Sequence, residues 1–334
     1  MTMKGIIRLM SLLAATMLAM SAARAQGLQK VKIHHYPGAL LSVVAYVGVE
    51  QKIFQKHGLD PELVGIATGP DALAALLASG VDVMLNSGDN LMRAIEKGSP
   101  EMKIIVGNSR QMPFSVVARS DIPVAAGGYA QAMKSLVGKK MGVIQRGSST
   151  EIIFRSLFTS AGLNPDEATW IGVGGVGTAM APLQNGAIDA YLAFEPFQTI
   201  TVNQTKTGRI VVDLRKGQVV PGFADFPYNF YIARGEDIKA RPEVMRRLVA
   251  AFGESHAFLQ GPANFDAVVE GASRHIKMDR GLLRQMLEDN LVTFGPAVTD
   301  AAIEKWILFA REALGVKREF KPAELLAKGL IPQQ

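Results

Sequence analysis

Apolar and polar positions follow two periods along the chain up to about residue 235. Short runs such as Val81, Val83 and Leu85 have the period of two that predicts a strand. Longer segments such as 41–56 and 148–161 have the spacing of amphipathic helices, and a glycine follows both of them. Strands separated by helices of this length predict βαβ units and a mainly parallel sheet.

The alternation occurs twice and then stops. Strands are predicted at 31–33, 63–66, 81–85 and 103–106, and again at 141–144, 168–173 and 188–193. Segments 77–82 and 183–189 both contain a helix end, a glycine and a strand start with an aspartate. After residue 241 only helical patterns follow, near 244–259, 265–275, 281–290 and 300–314. We therefore predict an α/β protein with two doubly wound lobes, a hinge and a helical C-terminal tail.

The predicted lobes are separated by two chain crossings, near Met112 and Pro221. Lobe 1 is expected to comprise residues 26–112 plus 222–334, and lobe 2 residues 113–221. A chain of this length exceeds what one hydrophobic core usually supports, which also favours two domains.

The first 25 residues have the pattern of a secretory signal peptide. Lys4 and Arg8 precede an apolar run over 9–20, and Ala23 and Ala25 are small residues at the −3 and −1 cleavage positions. The run is shorter than the about 20 residues that span a bilayer. The chain has no cysteine, which excludes a lipid-anchored N-terminus, disulfides and thiolate metal sites. The mature protein is therefore expected to be free in the periplasm.

Charge and motifs give little support to other classes of function. The formal net charge is +6, but the basic residues are scattered and not gathered in a stripe, so no nucleic-acid partner is predicted. No His-x-x-x-His pair or G-x-S-x-G elbow occurs, so neither a metal site nor a catalytic residue is predicted. Segment 172–177 matches G-x-G-x-x-G, but this motif alone is weak, and no cofactor is predicted.

Ligands of doubly wound sheets bind beyond the carboxyl ends of the strands, which here point into a cleft between the lobes. The candidate ligand-binding residues lie at those ends, in the glycine-rich segment and near the crossings: Tyr36, Pro37, Gly38, Thr68, Gly69, Ser87, Gly88, Asp89, Gln111, Arg146, Gly147, Ser148, Ser149, Thr150, Gly174, Glu195 and Tyr228.

Three of these segments have two interpretations each. The run from Arg146 to Thr150 precedes a helix and could bind an anion, or Glu151 could cap that helix start instead. Glu195 precedes a proline, which could aim its carboxylate into the cleft or leave it in a solvated turn. The aromatic run containing Tyr228 could stack on a ligand or pack at the hinge.

Five segments, 48–59, 69–85, 136–150, 183–196 and 231–242, resemble the nitrate/sulfonate/taurine and thiamine-pyrimidine receptor family of periplasmic binding proteins. The resemblance implies the type II periplasmic binding protein fold and a small-molecule ligand held between closing lobes. It also implies delivery to an ABC permease and ATPase in the inner membrane, and we expect a monomer. A thiamine-pyrimidine synthase on this fold would carry a cysteine-rich segment, which the chain lacks.

The acids Asp89 and Glu151 depart from what a simple inorganic anion would need. An organic solute such as a sulfonate, carboxylate or aromatic acid is therefore expected. The alternatives are a pyrimidine ligand on the same fold, or a solute receptor that acts on a membrane sensor.

Overall fold

The computed structural model describes residues 27–216, 220 and 222–330, so the predicted leader lies outside the described residues. Ten strands form two five-stranded sheets within this part of the chain. The strands are β1 (Gln29–His35), β2 (Leu59–Gly65), β3 (Val83–Ser87), β4 (Met102–Gly107), β5 (Ser115–Arg119), β6 (Lys140–Val143), β7 (Thr169–Gly172), β8 (Ala190–Ala193), β9 (Gly208–Asp213) and β10 (Asn229–Arg234).

Helices connect the strands and continue after the last of them. They are α1 (Val43–Glu50), α2 (Ile53–Lys56), α3 (Gly69–Leu77), α4 (Gly88–Glu96), α5 (Tyr129–Lys134), α6 (Ser149–Ser160), α7 (Val176–Gln184), α8 (Phe197–Thr199), α9 (Gly235–Ala240), α10 (Pro242–Gln260), α11 (Phe265–His275), α12 (Arg280–Asn290), α13 (Asp300–Leu314) and α14 (Pro322–Leu325). The predicted helical C-terminal region is thus present.

The two sheets repeat one topology. The first has the order β2-β1-β3-β10-β4, and the second has the order β7-β6-β8-β5-β9. In each sheet the fourth strand runs antiparallel to both neighbours, whereas the other strands are parallel. We call the part built on the first sheet lobe 1 and the part built on the second sheet lobe 2. The prediction of two doubly wound lobes with mainly parallel sheets is confirmed.

Some strands differ from the prediction for identifiable reasons. Strand β2 starts at Leu59 and includes Pro61, although the sequence predicted it only from residue 63. A proline removes one ladder donor, and an edge strand such as β2 tolerates that loss. Strands β5, β9 and β10 were not predicted. In β3 every side chain is buried, including that of Met84, because helices cover both faces of this central strand.

His34 on β1 gives stability a pH dependence. The ring is buried, its Nε2 lies 3.0 Å from the carbonyl of Ile66, and its Nδ1 accepts the N–H of Leu85 at 3.2 Å. Burial lowers the pKa of His34 from 6.5 to about 4. Because the folded pKa lies below the unfolded one, the stabilisation is present above pH 6.5 and is lost as the pH falls toward 4.

We expect His34 to account for about 3 kcal/mol of the loss in the free energy of unfolding over this interval, at about 1.4 kcal/mol per pKa unit. Urea denaturation at a series of pH values should therefore give a shallower pH dependence for His34→Gln than for the unsubstituted protein. Parallel curves for the two proteins would contradict this assignment.

Candidate functional site

The carboxyl ends of β1, β3, β6 and β8 meet between the two lobes and enclose a small space, which we call the inner cavity. Its volume is about 20 Å³, room for about one water-sized group. A solute can therefore enter only when the lobes stand farther apart. Both lobes contribute to the wall, which consists of Tyr36, Leu41, Gly69, Pro70, Asn86, Asn90, Phe114, Ile144, Ser148, Ser149, Thr150, Phe194 and Tyr228.

A second space, the outer cavity, adjoins the inner one and has a volume of about 180 Å³. Tyr36 of lobe 1 and Phe194 of lobe 2 line both cavities, so the two spaces meet at these residues. The rest of the outer wall comes from Pro37, Ala39, Ala67, Gly175, Val176, Gly177 and Thr178. The cleft thus has an inner end, where the serine, threonine and asparagine side chains lie among aromatic ones, and an outer end beside the glycine-rich segment.

Direct hydrogen bonds join the lobes at the inner end. The Oγ of Ser149 at the start of α6 lies 2.7 and 2.9 Å from the two carboxylate oxygens of Asp89 on α4. It also lies 2.8 Å from the Oγ of Ser87. Beside them, Arg93 donates to the backbone carbonyl of Gly147 at 3.1 Å. Any separation of the lobes must break these bonds.

Two tyrosines add phenol groups to this end. Tyr36 and Tyr228 are both buried. Burial raises the pKa of each hydroxyl well above its usual range, and the nearby Asp89 carboxylate raises it further. Both phenols are therefore neutral hydrogen-bonding groups at physiological pH. The ring of Tyr228 meets Phe114 edge to face at 4.6 Å, so aromatic surface from both lobes borders the cavity.

The Arg146 side chain does not lie where the sequence placed it. It is 60% exposed, and its Nε is 3.0 Å from Glu151, with Nη1 donating to the carbonyl of Trp170 at 3.1 Å. Glu151 also accepts the N–H of Gly147 at 2.6 Å. The carboxylate thus satisfies a backbone N–H just before the helix, which is part of what the capping interpretation predicted. This buried carboxylate needs donors and draws the guanidinium away from the cleft. Ser148, Ser149 and Thr150 from the same segment do line the inner cavity.

The carboxylate of Glu195 also points away from both cavities. It lies 3.0 Å from Arg215, and it accepts the N–H of Thr199 at 3.0 Å. Burial raises the pKa of Glu195, although these donors act in the opposite direction. Its backbone carbonyl accepts the N–H of Leu40 at 3.1 Å, so Glu195 joins the two lobes through its main chain.

The remaining candidates fall into three groups. Gly69 lines the inner cavity, whereas Pro37 lines the outer one. Three support the cleft: Thr68 accepts from the N–H of Asp71 to cap α3, Gly38 has a φ of 68° in the turn after Tyr36, and Gly174 accepts the Tyr191 hydroxyl beside the outer cavity.

Gly88 and Gln111 are not placed at the cleft wall. A Cβ on Gly88 would come within 2.7 Å of the Trp306 ring, so this position is needed for close packing. Gln111 lines a separate surface groove of about 920 Å³, together with Arg215 and Asn290.

The sequence analysis missed several wall residues. Asn86 and Asn90 were the easiest of these to predict from the sequence. Asn86 is a polar residue at the end of an otherwise apolar strand, and Asn90 follows four residues later. Their side chains are hydrogen-bonded at 2.8 Å. Phe114, Phe194, Leu41 and Ile144 have no sequence signal that separates them from ordinary core residues.

The described residues contain neither a candidate metal cluster nor a candidate membrane span. No group of three His, Asp or Glu side chains that could hold a metal ion occurs among them. In the same part of the chain, no helix combines the length and apolarity needed to cross a membrane.

Comparison with known proteins shows the family. Residues 39–273 match the model of the NMT1-like family. The chain belongs to the NMT1-like family. The resemblance inferred from the sequence is thereby confirmed.

Individual relatives of this NMT1-like protein are distant. A Brucella abortus protein named as a binding protein is 28% identical over 252 residues, which are 75% of this chain and 72% of that protein. The alkanesulfonate-binding protein SsuA from Xanthomonas axonopodis, bound to MOPS, has a TM-score of 0.71 and 14% identity, over 92% of this chain and 99% of that chain.

A third relative is the ligand-binding component of an ABC-type import system from Staphylococcus aureus. Its structure, which has zinc bound, gives a TM-score of 0.71 at 15% identity, over 91% of this chain and 98% of that chain. These likenesses show that this NMT1-like protein has the periplasmic binding protein fold.

Proposed function

We propose that this NMT1-like protein is the periplasmic substrate-binding component of an ABC importer. In this role it captures a small organic solute between its lobes and delivers it to a permease and ATPase in the inner membrane. The observation that carries the proposal is the inner cavity, whose wall comes from both lobes and whose volume requires the lobes to separate for entry. The predicted leader over residues 1–25 supports a periplasmic location.

The cavity walls favour binding of an organic solute without chemistry on it. Tyr36, Phe114, Phe194 and Tyr228 offer aromatic surface, which an inorganic oxyanion cannot use. Sulfonates, carboxylates and aromatic acids with a carbon skeleton fit this surface. Ser149 and Asp89 are engaged with each other across the lobe boundary, in the manner of groups that hold a closed form.

We further propose that lobe 1 comprises residues 26–112 plus 222–334 and lobe 2 residues 113–221. The sheets support this division, since the described chain leaves the first sheet after β4 and returns to it at β10. The two connections are then the natural hinge for opening and closing.

A solute screen tests the proposed function. The mature protein is mixed with sulfonates, aromatic carboxylates and pyrimidines, and its thermal unfolding and small-angle scattering are measured. A true ligand at 100-fold its Kd should add about 2.7 kcal/mol to the free energy of unfolding. The same ligand should reduce the radius of gyration as the lobes close. If no solute changes either quantity, the protein is not a receptor for small solutes.

A further inference from the structure

Most hydrogen-bond donors in the wall of the inner cavity already donate to other atoms of the protein. The hydroxyl of Ser149 is directed at Asp89 at 2.7 Å, and that of Ser148 donates to the carbonyl of Gln145 at 2.6 Å. The Oγ1 of Thr150 accepts the N–H of Ile144 at 3.2 Å and lies 2.9 Å from the Ser148 hydroxyl. A hydroxyl whose proton is engaged in this way offers only oxygen lone pairs to a ligand.

The two asparagine amides are engaged in the same way. The Nδ2 of Asn86 donates to the carbonyl of Gly69 at 2.8 Å, and the Nδ2 of Asn90 donates to Asn86 at 2.8 Å and lies 3.3 Å from Ser149. The wall of the inner cavity therefore presents few donors. Ser148 and Thr150 each keep an oxygen lone pair, whereas the Oγ of Ser149 already lies 2.8 Å from Ser87 and 3.3 Å from Asn90. Among the described wall residues, the hydroxyl of Tyr228 contacts Ser149 and Ser87, which leaves that of Tyr36 free to turn.

The charge at the inner end also disfavours an acid group. The described residues of the wall include no lysine or arginine, whereas the carboxylate of Asp89 lies directly behind Ser149 and is 0% exposed. Its one arginine partner, Arg93, sits 3.2 Å away on the side facing Gly147. An acid group at the inner end would meet few donors and a like charge, and like charges at a desolvated contact are strongly unfavourable.

We propose that Asp89 determines which part of a solute occupies the inner end of the cleft. By holding the Ser149 proton, Asp89 prevents that hydroxyl from donating to a ligand. This end, with the remaining lone pairs of Ser148 and Thr150, is then a site for a hydrogen-bond donor, such as an ammonium, amine, amide N–H or hydroxyl group, and it excludes acid groups. An organic acid then binds with its acid group toward the outer cavity. The inference rests on the proposed function, and Asp89 acts through Ser149, as a positioning residue.

Matched pairs of probes test this inference by calorimetry. One pair is 4-aminobenzoate and benzene-1,4-dicarboxylate, and the other is 3-aminopropane-1-sulfonate and propane-1,3-disulfonate. Within each pair one end is the same, and the other end is either an amine or an acid. We expect the wild-type protein to bind the amine member of at least one pair about 100-fold more tightly than the acid member.

Asp89→Asn should reduce that preference to within about tenfold, because an amide can donate to Ser149 and free its proton to turn toward the ligand. Asp266→Asn is the matched control, since Asp266 also follows the first residue of its helix and pairs with an arginine, at 2.7 Å, but on an exposed surface. This variant should keep the wild-type preference. Thermal unfolding checks that each variant is folded, and Asp89→Ser replaces Asp89→Asn if the latter is not.

The inference is overturned if the acid members bind as well as the amine members, if the preference survives in the Asp89 variant, or if no probe binds the wild-type protein. Scattering then separates this failure from that of the proposed function. A solute of the screen that still closes the lobes leaves the importer role standing, whereas no closure with any solute removes both.

Discussion

Replacing Arg215 with methionine is expected to lower the free energy of unfolding by about 3 kcal/mol, because it leaves the buried carboxylate of Glu195 without its cation. The guanidinium contacts Asp213 through two nitrogens, each at 2.8 Å, and Nη1 contacts Glu195 at 3.0 Å and Asn290 of lobe 1 at 3.3 Å. Only 18% of the Arg215 side chain and 5% of Glu195 are exposed. Chemical denaturation measures the loss.

A second substitution shows whether the stranded charge is the cause. The double variant Arg215→Met with Glu195→Gln should regain part of the stability. It removes the more deeply buried of the two stranded carboxylates, and that of Asp213 still accepts from the Ser115 hydroxyl at 3.1 Å. Arg246→Met is the surface control, because its pair with Glu243 is more than half exposed on both sides and should change stability by less than about 1 kcal/mol. A loss for Arg215→Met as small as this control would refute the role assigned to Arg215.

Replacing Trp306 with alanine should cost about 4 kcal/mol, the other large effect that we expect on stability. Trp306 on α13 is fully buried, donates its Nε1 to the carbonyl of Pro227 at 2.6 Å, and packs edge to face on Phe226 at 4.8 Å. The substitution removes an aromatic ring from a close-packed region and leaves a carbonyl without its donor. Urea or guanidinium unfolding monitored by circular dichroism gives the change directly.

The same change should also weaken ligand binding, since Trp306 supports the segment that holds Ser87 and Asp89. Its ring lies against Gly88, where a Cβ would come within 2.7 Å. Leu308→Ala on the same helix is the control, because Leu308 is 45% exposed and its truncation should cost about 0.5 kcal/mol or less. If both variants lost equal stability, the packing role of Trp306 would be wrong.

The arrangement of elements could be predicted well from the sequence, and for a clear reason. Strand β3 and helix α6 were predicted within two residues of their observed bounds, because Gly80 marks the end of the helix before β3 and Gly162 follows the end of α6. The period of hydrophobic residues and the positions of glycines are local properties, so they can be recognised in a single sequence. The same properties placed Ser87, Ser148 and Ser149 at the cleft, since strand ends of one sheet meet at one edge.

Side-chain direction was predicted less well, because it depends on which partners the folded chain brings within reach. Arg146 turns toward Glu151 and the carbonyl of Trp170, and Glu195 turns toward Arg215. In both pairs an arginine compensates the charge of a buried glutamate, and the spacing of the residues in the sequence predicts neither pair. The apolar wall residues were missed for a related reason, since Phe114 and Phe194 differ from core phenylalanines only in what they face.

The order of strands in the first sheet sets the order in which the chain can fold as it is synthesised. Strand β10 lies between β3 and β4, so the first sheet has a gap in its middle until residues 229–234 are available. The second sheet needs only residues 115–213. The N-terminal segment of a nascent chain thus cannot complete its own sheet, and early collapse of that segment is disfavoured because its closing contacts span long sequence separations.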